Sequence, residues 1–171
     1  MREKALTIDG ILTQLVQNGG VNSREQLTRA MILGAYVKRM GNMMLIMEES
    51  EKISSKELGN AVRESLEYFG LTGLLTDFQE LGERRLPAKA ILLAYDLLET
   101  HLESEFGMDS LVIFLDARKG FTFRILLDAE RLPLDASWRA EELAMHGLTL
   151  SVDFVDDTWR VILTAGEEGE S

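Results

Sequence analysis

The chain has 171 residues, 46% of them hydrophobic and 27% charged, with no cysteine and a formal net charge of −11. That length fits one ordinary domain, or one domain with a helical appendage, and the apolar fraction excludes a disordered chain. The acidity argues against nucleic acid and anionic membrane surfaces as partners, and the missing cysteines exclude disulfides, thiol nucleophiles and cysteine-ligated metals. No apolar run approaches the roughly 18–20 residues that cross a bilayer. The charged start Met1-Arg2-Glu3-Lys4 lacks the apolar segment of a signal peptide. A cytoplasmic location is expected, either for a free chain or for the cytoplasmic part of a membrane-anchored sensor, with no membrane contact by the chain itself.

In chain order, Leu6, Ile8, Ile11, Leu12, Leu15 and Val16 recur at helical spacing until Asn18-Gly19-Gly20 stops the run. Asn22 or Ser23 caps a second helix that reaches about Glu49. Its apolar residues lie on more than one face, more than a helix on a single surface requires. A hairpin that pairs with a second copy into a four-helix bundle buries both faces, with Leu27, Met31, Gly34, Val37, Gly41 and Met44 as the expected dimer interface. The acidic run Glu48-Glu49-Ser50-Glu51 marks a linker after this first unit, residues 1–50.

A second unit is expected over residues 54–166. Ser54 or Ser55 caps a helix to Gly70, a strand follows near Leu74–Gln79, and Gly82 sits in a loop. Pro87 suits an early position of the next helix, which runs to about Phe106. Two strands follow, Leu111–Asp116 and Phe121–Asp128; in the second, Phe121, Phe123, Ile125 and Leu127 alternate with Thr122, Arg124 and Leu126. A short helix from Ala136 to His146 ends at Gly147, and a last hairpin joins Leu148–Val155 to Trp159–Thr164 through Asp156-Asp157. Residues 167–171 form a frayed tail. The order α-β-α-β-β-α-β-β predicts an α+β fold: a helical hairpin, then a two-layer sandwich with a mixed sheet of about five strands.

Three stretches carry a family resemblance: Glu64-Ser65-Leu66-Glu67-Tyr68 before Gly70, Leu86-Pro87-Ala88 through Leu93-Ala94-Tyr95-Asp96-Leu97-Leu98-Glu99, and Leu143-Ala144-Met145-His146-Gly147-Leu148-Thr149-Leu150. With the element order behind a helical hairpin, they resemble the C-terminal region of bacterial sensor histidine kinases, a dimerisation hairpin followed by a GHKL-type ATPase domain. Leu33-Gly34-Ala35-Tyr36-Val37-Lys38-Arg39 is also similar to sensor kinases of anaerobic Gram-positive bacteria. The similarity spans nearly the whole chain.

The resemblance implies a helix with a catalytic Glu and, four residues on, a magnesium-holding Asn. With Tyr95 aligned on the family's tyrosine, these positions fall on Thr100 and Ser104. Glu99 and Glu103 are one residue out of register, a turn of about 100° on the helix. The family's Asp-x-Gly-x-Gly box is matched by Asp128-Ala129-Glu130-Arg131-Leu132, which keeps the adenine-binding Asp and loses both glycines. The connection from Asp128 to Ala136 is too short for a glycine-rich lid. No histidine lies in the hairpin; His101 and His146 are both in the sandwich. The arrangement is similar to the sporulation phosphotransferases of bacilli, which join a hairpin to a kinase-like domain without ATP binding but keep an active His on the bundle.

The expected function is therefore a degenerate two-component signalling module that dimerises and docks on partners, a kinase, a sensor segment or a response regulator, with no metal or cofactor. The alternative is a divergent ATP-dependent sensor kinase fragment whose phosphoacceptor His lies outside this chain. It would use Asp128 and Ser104 for nucleotide, Glu99 or Glu103 for catalysis, and ATP with magnesium. Asp153, Asp156 and Asp157 lack the spacing of a calcium loop and read as a solvated turn. Trp138 and Trp159 are expected at the sheet's edges; Glu64 and Glu67 are expected on a solvated face, with pairing to Arg63 or a neighbouring chain as the alternative.

Overall fold

A computed structural model describes residues 6, 7, 9–11, 13, 23–70, 73–104, 109–130, 132 and 134–166, without the side chains of 23–29, 101, 103 and 104. The elements are α1 (Ser23–Glu49), β1 (Lys52–Ser54), α2 (Ser55–Gly70), β2 (Leu75–Leu81), β3 (Arg85–Pro87), α3 (Ala88–Ser104), β4 (Ser110–Asp116), β5 (Phe121–Asp128), α4 (Ala140–Met145), β6 (Leu148–Val155) and β7 (Thr158–Ala165). The first helix of the expected hairpin, and the expected tail, lie largely outside the described residues.

Five strands form one mixed sheet in the order β2-β4-β5-β7-β6, parallel only between β2 and β4. The β2–β4 crossover contains α3, as a parallel pair requires a long connection that a helix can fill. The alternation read in β5 sends Phe121, Phe123, Ile125 and Leu127 to the buried face, level with Leu111, Ile113 and Leu115 of β4. Helices α2 and α3 cover that face through Leu58, Val62, Leu66, Ile91, Leu98 and their neighbours. On the opposite face Arg124 lies over the Phe114 ring, 5.9 Å from its centroid.

Four local expectations are corrected. Pro87 closes β3 rather than opening a helix, because β3 pairs antiparallel with β1 in a small ribbon that brings Ile53 opposite Leu86. Strand β2 continues to Leu81. Residues 136–139 form turns, and α4 starts only at Ala140: Asp135 Oδ1 accepts the Ser137 amide at 2.8 Å, and Arg139 adopts the left-handed region at φ 46°. Trp159 is not at an edge, since β7 lies between β5 and β6; its ring packs on Phe154 at 4.9 Å.

Two glycines are dictated by the backbone. Gly147, at φ 65°, ends α4 in the left-handed conformation that favours glycine, with its amide on the Ala144 carbonyl at 3.1 Å. Gly82 has φ 75°, and a Cβ there would stand 2.7 Å from Arg118 Cγ and 3.0 Å from the Arg118 backbone nitrogen. The final turn places Asp156 and Asp157 at φ 50° and 60°, the pair of left-handed residues that matches strand twist in a two-residue hairpin. Asp157→Val puts a β-branched residue there and is expected to cost about 1–2 kcal/mol. Urea unfolding checks this; a loss below about 0.3 kcal/mol, small for a strained left-handed residue, would mean the hairpin closes through another turn.

Helix α1 does not stand away from the sandwich. Ile32, Tyr36, Met40 and Met43 recur along one face and join the same core cluster as α2 and α3. Glu64 of α2 pairs with Lys38 at 3.3 Å and with Arg39, so it meets α1 rather than a solvated face. The acidic end of α1 passes directly into β1, with the Ala88 amide on the Glu51 carbonyl at 2.8 Å.

Candidate functional site

The positions with chemical potential lie on α3, at the end of β5 and in the segment from β5 to α4. Helix α3 is enclosed along its length: every residue from Ala90 to Glu99 is buried. Such a helix suits the strongly apolar run Ala90-Ile91-Leu92-Leu93-Ala94, but it also takes Tyr95, Asp96 and Glu99 out of water. Each must then find partners inside the protein.

Glu99 is 0% exposed, and its Oε1 accepts the Ser65 hydroxyl of α2 at 2.7 Å. Ser65 Oγ also lies 3.0 Å from the Tyr95 hydroxyl, which is itself fully buried. Burial, followed by the nearby Glu99 carboxyl, pushes the Tyr95 hydroxyl well above the usual tyrosine range. Glu99 is thus turned into the α2–α3 contact.

Asp96 is 8% exposed and receives two elements at once. Its Oδ1 accepts the Tyr36 hydroxyl of α1 at 2.7 Å, and its Oδ2 meets the Arg139 guanidinium at 2.5 Å. Tyr36 also stacks on Tyr95, with ring centroids 5.7 Å apart. Arg139 reaches Glu142 at 3.2 Å and lies 5.2 Å from the Trp138 ring centroid. Two turns earlier on α3, Lys89 meets Glu142 at 2.7 Å, and this cation holds the Glu142 carboxyl below its ordinary range.

Asp128 lies exposed at the end of β5, where its carbonyl accepts the Asp109 amide at 3.3 Å. Beyond it, Ala129, Leu132, Leu134 and Trp138 lie half-buried against the core. Where a nucleotide-binding fold needs a loop held open over phosphates, the described part of this segment packs inward. The side chains of Glu103 and Ser104 lie outside those described, as does that of His101. His146 is exposed at the end of α4. Among the described residues no group of three or more acids and histidines stands close enough to hold a metal ion. Glu99, fully enclosed under Ser65, does not fit as a ligand or base for a magnesium–triphosphate group.

Of the expected interface positions on α1, Met31 and Met44 are 42% and 46% exposed, and Gly34, Val37 and Gly41 are half-exposed. Leu45, not among them, is 62% exposed. A Cβ at Gly34 or Gly41 would meet nothing within 4 Å. The side chain of Leu27 is outside those described. No described helix is long and apolar enough to cross a membrane.

The sequence reading missed Asp96 and Tyr36 as a polar contact. The only available signal was an acid within an apolar helix, which names no partner.

No protein-family model and no curated protein matches the sequence. Among solved structures, a bacterial phosphotransferase is similar over 94% of this chain and 88% of its own, at 12% identity and a TM-score of 0.61. The histidine kinase domain of a blue-light-activated kinase from Erythrobacter litoralis covers 96% of this chain and 95% of its own, at 11% identity and a TM-score of 0.56. The nucleotide-free catalytic domain of the histidine kinase ThkA covers 69% of this chain and 98% of its own, at 12% identity and a TM-score of 0.54. At such identities the likeness is one of fold, and it agrees with the strand order and the two-layer arrangement described above. The chain carries the α+β fold of the histidine kinase ATPase domain.

Proposed function

We propose that this chain is a signalling module of two-component type that has exchanged nucleotide chemistry for contacts. In this reading it acts in the cytoplasm as a homodimer through α1, and the sandwich docks on a kinase, a sensor segment or a response regulator. The observation that carries the proposal is the position of Glu99, fully enclosed and held by Ser65. A carboxyl that must work on a substrate proton needs hydrogen-bond reach to it, and this one faces a helix contact. The half-buried Leu132, Leu134 and Trp138 support the same reading, since they cover the core where a lid would open. The exposed Met31, Met44 and Leu45 beside the uncrowded Gly34 and Gly41 support a second copy against the outer side of α1.

The competing reading, a divergent kinase fragment using ATP and magnesium with its acceptor histidine elsewhere, has the exposed Asp128 in its favour. Thermal unfolding with millimolar ATP and magnesium, beside an ADP control, separates the two. The midpoint is expected to stay within about 1 °C, because a protein without a site gains nothing from free ligand. A rise of roughly 5–10 °C with both nucleotides, the size that about 100-fold saturation gives, would overturn the signalling-only proposal.

A further inference from the structure

Asp96 is the only described carboxylate that joins α1, α3 and the turn before α4. It is nearly enclosed, as is Tyr36 at 3% exposure. The Tyr36 hydroxyl reaches it from one side at 2.7 Å, and Arg139 reaches it from the other at 2.5 Å. Arg139 occupies a left-handed backbone conformation that a non-glycine residue keeps only when its surroundings hold it there. Those surroundings are Asp96, Glu142 and the Trp138 ring. Asp96 is the one among them that also touches the long helix. Lys89, also on α3, makes the second ion pair to this region, through Glu142. Its ion pair runs to α4, so it holds α4 in place independently of Tyr36.

We infer that Asp96 is a positioning residue that couples the docking of α1 to the backbone of the Ser137–Arg139 turn, so that a partner drawing α1 from the sandwich also loosens the segment that replaces the lid. Removing α1 takes the Tyr36 hydroxyl from Oδ1 and leaves the Asp96 carboxylate to its pair with Arg139. The side chain is then free to turn, and the contact that holds Arg139 in the left-handed region weakens. Coupling of this kind is reciprocal: loosening Arg139 weakens the seat of α1 by the same factor. The inference deepens the signalling proposal above, because it supplies a route from the helix to the partner-facing surface of the sandwich.

The test is hydrogen exchange on the full chain with Tyr36→Phe, Arg139→Gln and the double variant, without nucleotide or partner. Tyr36→Phe keeps the ring that stacks on Tyr95 and removes only the hydroxyl. It is expected to speed exchange of the amides around Trp138–Leu143 by about threefold to tenfold, the lower part of the range of measured pairwise couplings. Arg139→Gln is expected to speed exchange in α1 around Ile32–Met43, and the double variant should add less than the sum of the two. Exchange changes confined to the substituted element, or full additivity, would overturn the coupling. Both single variants leave the apolar core intact, so the test does not depend on Asp96→Asn folding. Since nucleotide plays no part, a failed coupling leaves the thermal-shift result standing, and the reverse also holds.

Discussion

Phe123→Ala is expected to remove about 3–5 kcal/mol of stability, while Asp128→Ala on the same strand is expected to change it by less than about 0.5 kcal/mol. Phe123 is 0% exposed at the centre of β5, opposite Leu115 on one side and Leu163 on the other. Truncating it loses the transfer energy of an aromatic ring and leaves a void that sheet and helices can only partly close. That loss is a large share of the total stability of an ordinary domain, so partial unfolding at 37 °C is expected. Asp128 ends the same strand in solvent, where its carbonyl accepts the Asp109 amide. The pair is read by urea unfolding with and without ATP and magnesium. Under the signalling proposal neither variant changes the response to nucleotide. An Asp128→Ala variant that abolished a wild-type nucleotide response would transfer the case to the kinase reading.

Ser65→Ala is expected to cost roughly 1–3 kcal/mol, because it leaves the enclosed Glu99 carboxyl without its 2.7 Å donor. The substitution removes one oxygen and opens almost no cavity, so the loss reports the polar contact rather than packing. For a domain of this size that corresponds to a fall in midpoint of roughly 2–12 °C. Ser65→Thr keeps a hydroxyl and separates the effect of the hydrogen bond from that of the site's shape. If Ser65→Ala left the midpoint unchanged, Glu99 would have another adequate donor or a path to water. Its assignment as a structural acid, on which the signalling proposal rests, would fail with it.

The parts of the fold legible in the sequence are those whose burial repeats with a simple period. Strand β5 shows its register in four alternating apolar residues, and all four are buried. The β6–β7 hairpin was visible from two runs joined by Asp156-Asp157, residue types that tolerate the left-handed conformation found there. Helix α2 was marked by its serine cap and by Leu58, Val62, Leu66 and Phe69 on one side. The ribbon of β1 and β3 was not legible, since three-residue strands contribute one buried side chain each and set up no period. The start of α4 was misplaced because a turn held by Asp135 and Arg139 has no apolar signal of its own.

By itself the sequence determined the class of fold and the chain order of the five strands of the main sheet, because these follow from local periodicity and residue type. Only the tertiary structure decided where α1 docks, and that Glu99 and Asp96 on one buried helix serve different neighbours. A helix that is apolar nearly all round offers no preferred face, so the partners of its few polar groups are set by which distant elements pack against it: Ser65 for Glu99, and Tyr36 with Arg139 for Asp96.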